Sequence, residues 1–179
     1  MLSHFVVSTG NSVVILIIDG STPTDEFDKA KESAILTIRK LKPDAKFIVY
    51  IIIYNDNKIT QIVIKNPKDV EPSITQLIKI KHVKSKPNTL LIFQVIEKLN
   101  PGDNTQVIPL GGLKLPENPT LKSKLLSIIQ IFVTKNFHFT FVIEDPNKVP
   151  QEWKTLIPEI TFVPHTKIEF VTRIIKSKL

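Results

Sequence analysis

The stretch Val13-Val14-Ile15-Leu16-Ile17-Ile18-Asp19-Gly20-Ser21 decides how the rest of the chain is read. Six apolar residues follow one another without polar alternation, and all but Leu16 are β-branched. A strand with one wet face alternates apolar and polar side chains. An unbroken run therefore predicts a strand covered on both faces, as in the middle of a parallel sheet. The run stops at Asp19-Gly20-Ser21, where a helix start follows, with Thr22 as N-cap, Pro23 at the first helical position and Asp25 two residues on. Phe27, Ala30, Ala34, Ile38 and Leu41 then recur at spacings of three and four. Asp25, Glu26 and Asp28 sit in the first turn and Arg39, Lys40 and Lys42 in the last, which suits the helix dipole, and Pro43 ends the helix.

Working outward, residues 47–54 form a second solid apolar run, Asn55-Asp56-Asn57 has turn chemistry, and residues 58–64 are again β-rich. So short a connection predicts a hairpin, which makes the third strand antiparallel. A helix is predicted over 70–81 with Ile74, Leu77, Ile78 and Lys81 on one side, and another from an Asn88 or Thr89 cap to Leu99. Residues 105–110 read as a strand whose Pro109 must lie near its end. Residues 120–136 read as a helix with a Leu121, Leu125, Ile128, Phe132 stripe, and 137–143 as a strand. A short helix over 150–157, a strand over 159–163 and a last helix opened by a Thr166-x-x-Glu169 capping box complete the pattern. Strands alternating with helices imply an α/β fold: a three-layer, doubly wound, mostly parallel sheet with one antiparallel edge strand. No repeat is visible, and a length of 179 residues predicts a single domain over 1–179.

Composition excludes several classes. With no cysteine there is no disulfide framework, thiolate nucleophile or cysteine-ligated metal. Only five glycines occur, and no phosphate-binding or nucleophile-elbow motif is formed by them. The net charge is +7, but Arg39 and Arg173 are the only arginines and the lysines are spread along the chain. That basicity reads as a diffuse solubilising field rather than a base-reading surface. Residues 1–11 lack the basic and apolar segments of a secretory leader, and no apolar run approaches the roughly 20 residues that cross a bilayer. A cytoplasmic or nuclear setting is expected, with no membrane partner.

In a doubly wound sheet, ligands bind at the carboxyl ends of the strands where the strand order reverses. The loop after the first strand is therefore the candidate site. Asp19 with Ser21, Thr22 and Thr24 offers one carboxylate and three hydroxyls, a set that could cap the helix or hold a magnesium ion. The run ending in Asp19-Gly20-Ser21, followed by an amphipathic helix, a solid strand and a hairpin, resembles a von Willebrand factor A-type (vWA) domain. The agreement in element order extends from about residue 12 to 179. The resemblance implies a protein-interaction module, which in many members binds through a metal-ion-dependent adhesion site.

Carried over position by position, that site is degraded. Asp19 and Ser21 match the first two members of an Asp-x-Ser-x-Ser loop, but Pro23 stands at the third. Lys86-Pro87-Asn88-Thr89 places Pro87 at the usual threonine ligand, and Leu110-Gly111-Gly112-Leu113 places glycine at the usual acid. Asp19 and Ser21 are thus the weak metal candidates, no cofactor is expected beyond a weak claim of magnesium, and melting with and without magnesium, manganese and calcium is the test. The resemblance implies partner binding through Asp19, Ser21, Thr22 and Thr24, through Lys84, Lys86 and Thr89, and through Gly111, Gly112 and Lys114. The three lysines predict an acidic surface on the partner protein.

Other residues carry weaker signals. His4, His82, His138 and His165 have no ligating partner at helical spacing; Glu144-Asp145 reads as a solvated loop. Trp153 reads as packing its short helix onto the sheet, with an exposed anchor as the alternative. Two further functions stay open at this point, a basic nucleic-acid-binding protein and an enzyme using Asp19 as base or metal ligand.

Overall fold

The computed structural model describes residues 12–43 and 47–179; His4 and the leader reading of residues 1–11 lie outside them. Six strands form one sheet: β1 (Ser12–Asp19), β2 (Phe47–Asn55), β3 (Lys58–Ile64), β4 (Gln106–Pro109), β5 (His138–Val142) and β6 (Thr161–Val163). Their spatial order is β3-β2-β1-β4-β5-β6. β1 is therefore central, with β2 and β4 running parallel on its two sides, and β3 is the antiparallel edge predicted from the hairpin. Asp56 and Asn57, the two residues of that hairpin's loop, both have positive φ, as a type I′ turn requires.

Six α-helices link the strands: α1 (Thr24–Leu41), α2 (Val70–Lys79), α3 (Thr89–Leu99), α4 (Pro119–Thr134), α5 (Gln151–Leu156) and α6 (Ile168–Ser177). They cover both faces because β1 alternates its direction of burial. Val14, Leu16 and Ile18 pack under α1, α2 and α6, against Phe27, Ile38, Leu77 and Val171. Ile15 and Ile17 pack under α3, α4 and α5, against Phe93, Ile129, Phe132 and Trp153. Each such side chain contributes about 1.5–3 kcal/mol on leaving water, so β1 is the densest source of stability in the sheet. None of the helices among the described residues is long and apolar enough to cross a membrane.

The structure corrects several local expectations. Pro23, not Thr22, occupies the N-cap of α1, and its backbone is extended (φ −60, ψ 157) with no side-chain cap. The Thr22 hydroxyl instead donates to the Asp19 carbonyl at 2.8 Å, closing the turn after β1 before the helix begins. No Thr166–Glu169 capping box forms. Thr166 lies in a 3-10 turn, its N–H donates to Glu144 Oε1 at 3.3 Å, and α6 opens at Ile168 without a side-chain cap. A capping box does occur at Asn66 and Asp69, ahead of α2. α2 ends at Lys79, short of 81, and Ile78 is 63% exposed because the buried side of the helix runs through Ser73, Ile74 and Leu77. Leu121 likewise leaves its stripe at 43% exposure, since Asn118 caps α4 and the first turn projects beyond the sheet-facing residues. Pro109 sits at the end of β4 opposite Ile17, where its missing N–H is not needed.

Trp153 is fully buried between Phe93 and Phe141, and its indole N–H donates to the Leu113 carbonyl at 2.9 Å. It holds the loop after β4 against α5. Trp153→Ala is expected to cost about 3–5 kcal/mol in urea unfolding, and wild-type stability in that variant would refute the anchoring role.

Candidate functional site

A cavity of about 400 Å³ opens at the carboxyl ends of β1, β4 and β5. Its walls come from three connections and the start of α1. Ser21, Thr22 and Pro23 follow β1; Gly111, Gly112 and Lys114 follow β4; Glu144, Asp145 and Lys148 follow β5; Asp25, Glu26 and Lys29 lie on α1, and His165 closes one side. Gly111 has φ +155, a conformation side-chain-bearing residues rarely adopt, and it lets the chain turn sharply out of β4.

Asp19 ends β1 and remains only 8% exposed. Its Oδ1 accepts the Ser21 N–H at 2.9 Å. Burial pushes the carboxyl above its ordinary value; the backbone and side-chain hydrogen bonds from Ser21, and then the positive charge of Lys114, pull it back in part. Gly20 follows immediately, and a Cβ there would collide with the Tyr54 carbonyl oxygen. The turn is thus pressed against the end of β2, which leaves room only for glycine.

The residues singled out from the sequence fall into two groups. Ser21, Thr22, Gly111, Gly112 and Lys114 share the cavity wall. Lys84, Lys86 and Thr89 do not line it. Residues 81–88 run past the far side of Gly20, over the β2–β3 turn. Ser85 N–H donates to the Gly20 carbonyl at 2.9 Å, Lys86 N–H donates to Asn57 Oδ1 at 3.0 Å, and the Tyr54 hydroxyl donates to the Lys86 carbonyl at 2.7 Å. Thr89 is buried as the first residue of α3. The polar termini of β2 and the hairpin hold the backbone of this segment.

Of Lys84, Lys86 and Lys114, Lys114 alone is at the cavity wall. The crevice is lined by Lys29, Lys114 and Lys148 together with Asp25, Glu26, Glu144 and Asp145. Glu144 and Asp145 also hold backbone N–H groups, of Thr166 and Asn147, so they are more than a solvated loop.

His82 was overlooked by spacing arguments because its partners are remote in sequence. Its ring packs on Phe27 with centroids 4.7 Å apart, Nε2 lies 3.0 Å from the Gly20 carbonyl, and Nδ1 lies 2.8 Å from the Thr24 hydroxyl. Both ring nitrogens are thus engaged, one by the Gly20 carbonyl and one by the Thr24 hydroxyl. His165, placed in a loop by the sequence, lies in a 3-10 turn against α1. Its Nδ1 is 2.8 Å from the Ser33 hydroxyl; burial lowers its pKa, and Lys29 adds to this against the opposing Glu144 and Glu26. His138 opens β5 at the opposite end of the sheet, where burial and then Lys178 lower its pKa.

The residues present do not fit magnesium. Oxygen ligands would have to come from Asp19 and Ser21, which already bond to one another, while the Thr22 hydroxyl is committed to the Asp19 carbonyl and that of Thr24 to His82. Among the described residues no group of three or more histidine, aspartate or glutamate side chains converges as a metal site. A hard octahedral ion asks for more oxygen than this loop releases.

No protein-family model matches the chain, and no curated protein does. Solved structures do match. The crystal structure of the SpRpn10 VWA domain superposes with a TM-score of 0.56, covering 86% of this chain and 87% of that domain at 10% sequence identity. The chain therefore has a vWA-type α/β fold, as the resemblance implied. At 10% identity the likeness concerns the fold itself.

Because the Asp19 carboxyl is raised above the 3.8 of an ordinary aspartate, its ionisation opposes folding. Its contribution is most favourable below the unfolded value and is lost as pH rises through the folded value. Asp19→Asn retains an acceptor for the Ser21 N–H. The variant is expected to melt above wild type at pH 7, and the two melting curves should converge as pH falls toward 4. A variant less stable than wild type at pH 7 would contradict this reading.

Proposed function

We propose that the chain is a non-enzymatic protein-binding module that receives a segment of a partner protein in the crevice at the carboxyl ends of β1, β4 and β5. The crevice itself carries the reading. It is an open cavity of about 400 Å³ built from three loops of a vWA-type sheet, rimmed by seven charged side chains of both signs. Its wall holds three lysines and four carboxylates, so the partner segment bears both charges rather than being uniformly acidic. Charges placed this way set the orientation and rate of docking more than raw affinity. Ser21, Thr22, Gly111, Gly112 and Lys114 form the contact surface. Asp19 lies beneath them as a support, and Thr24, Lys84, Lys86 and Thr89 serve the surrounding scaffold.

Binding is metal-independent in this reading. Lys114 provides, beside Asp19, the positive charge that an ion would otherwise bring, and no cofactor is required. The cysteine-free composition suits a cytoplasmic or nuclear setting.

Two measurements test the proposal. A photo-crosslinking amino acid at position 114, compared with one at exposed position 98 on α3, is expected to give one dominant adduct from 114 alone in extract of the source cells. Equal adducts from both positions, or none from either, would refute the docking site. Millimolar magnesium, manganese or calcium is expected to leave the melting temperature unchanged, whereas a saturable rise of several degrees would restore the metal site.

A further inference from the structure

The only two arginines of the chain, Arg39 and Arg173, stand far apart in sequence yet line the same groove, between the last turn of α1 and the outer side of α6. Lys40, Lys42 and Lys176 line it with them, in an open volume of about 510 Å³. A charge spread diffusely along the sequence is thus concentrated on one surface, at the end of the molecule opposite the crevice. Two carboxylates touch this cluster: Glu71 lies 3.3 Å from Arg39 and Glu169 lies 3.8 Å from Lys40. Both pairs are largely exposed, and such pairs contribute little and exchange readily. Arg173, Lys42 and Lys176 have no carboxylate within ion-pair distance among the described residues.

Two further features point to a ligand. Arg173 lies over the Phe170 ring, with its guanidinium carbon 5.2 Å from the centroid, and Lys167 lies 5.9 Å from the same ring. Stacking holds a guanidinium flat and ready for two parallel hydrogen bonds to an oxyanion. At the floor of the groove Thr172 is only 7% exposed, and its hydroxyl has no hydrogen-bond partner among the described residues. A buried hydroxyl left unpaired is uncommon, and here it is a neutral donor beneath five cations.

We propose that this groove binds a phosphorylated serine or threonine of a partner protein, with Arg39 and Arg173 holding the phosphate oxygens and Thr172, whose hydroxyl is buried in the free protein, rotating about its Cα–Cβ bond to donate to a third. A nucleic-acid strand would need cations along a track. These five are confined to one groove, and Glu169 in its wall and Glu71 beside it would repel a continuing polyanion. A bilayer would draw an apolar side chain into its interior, whereas the Phe170 ring, 40% exposed, carries Lys167 and Arg173 against it, which hold it at a charged surface.

The test uses the whole chain, labelled with nitrogen-15, titrated with O-phosphoserine, serine and inorganic phosphate. Phosphoserine is expected to shift amides 39–42 and 169–176 saturably, serine is not, and inorganic phosphate is expected to bind more weakly. Arg173→Gln should weaken phosphoserine binding about tenfold, the loss expected for charge-assisted hydrogen bonds. Thr172→Val should weaken it while leaving the melting temperature equal or higher, because it replaces an unpaired hydroxyl with a methyl group. Affinity should fall between pH 7.5 and pH 5.5 as the phosphate gains its second proton, at a pKa of about 6. Unsaturable shifts spread over many lysines, equal binding of serine, tighter binding of free phosphate, or unchanged affinity in both variants would each overturn the proposal. Residue 114 lies in the crevice, so crosslinking there can succeed or fail independently of this result.

Discussion

Residues 14–18 have essentially no contact with solvent, and the sheet is organised around that burial. A backbone withdrawn from water on both faces must find its hydrogen bonds within the sheet. β1 does so by pairing with β2 along its whole length and with β4 on its other side. Parallel neighbours require crossover connections, and these place helices on both faces. They also bring the turns after β1, β4 and β5 to the same end of the sheet, where the crevice opens. The crevice is thus a geometric result of where the polar end of a wholly apolar strand emerges.

That emergence is tightly constrained. Asp19 is still buried, Gly20 has no room for a side chain, and the Thr22 hydroxyl turns back onto the Asp19 carbonyl. Polar groups that would suit a cation in a more open loop are spent here on closing the turn. His82 and Ser85 reach the Gly20 carbonyl from outside and hold the turn in place. A loop so thoroughly bonded to itself and its neighbours presents a fixed shape to a partner.

Much of this architecture was legible in the residues. The unbroken apolar run of β1, the amphipathic spacing of α1 and the asparagine-rich hairpin are local signals, and each is present where the pattern placed it. Legibility ended where side chains found remote partners. Thr22 has the chemistry of a cap but bonds to Asp19; the Thr166 N–H goes to Glu144; His82 joins residues about sixty positions away. The candidate site shows the same division. Neighbouring positions around Asp19 and Gly111 could be placed together from the order of strands. That Lys84 and Lys86 stand apart from the cavity wall goes with backbone bonds to Asn57 and Tyr54 that no spacing reveals. Charge was the least legible property, because the clustering of Arg39 with Arg173 follows from the packing of α6 against α1.

The central position of β1 also has a consequence for how the chain is made. On a ribosome this strand emerges ahead of both its neighbours, and Phe47–Asn55 can soon cover one of its edges. The other edge has no partner until Gln106–Pro109 has been synthesised. Until then the most water-averse segment of the chain presents an open row of hydrogen-bonding groups, the arrangement most prone to pairing with the wrong strand. The nascent protein is accordingly most vulnerable to aggregation, and most in need of chaperone cover, while the fourth strand is still unmade.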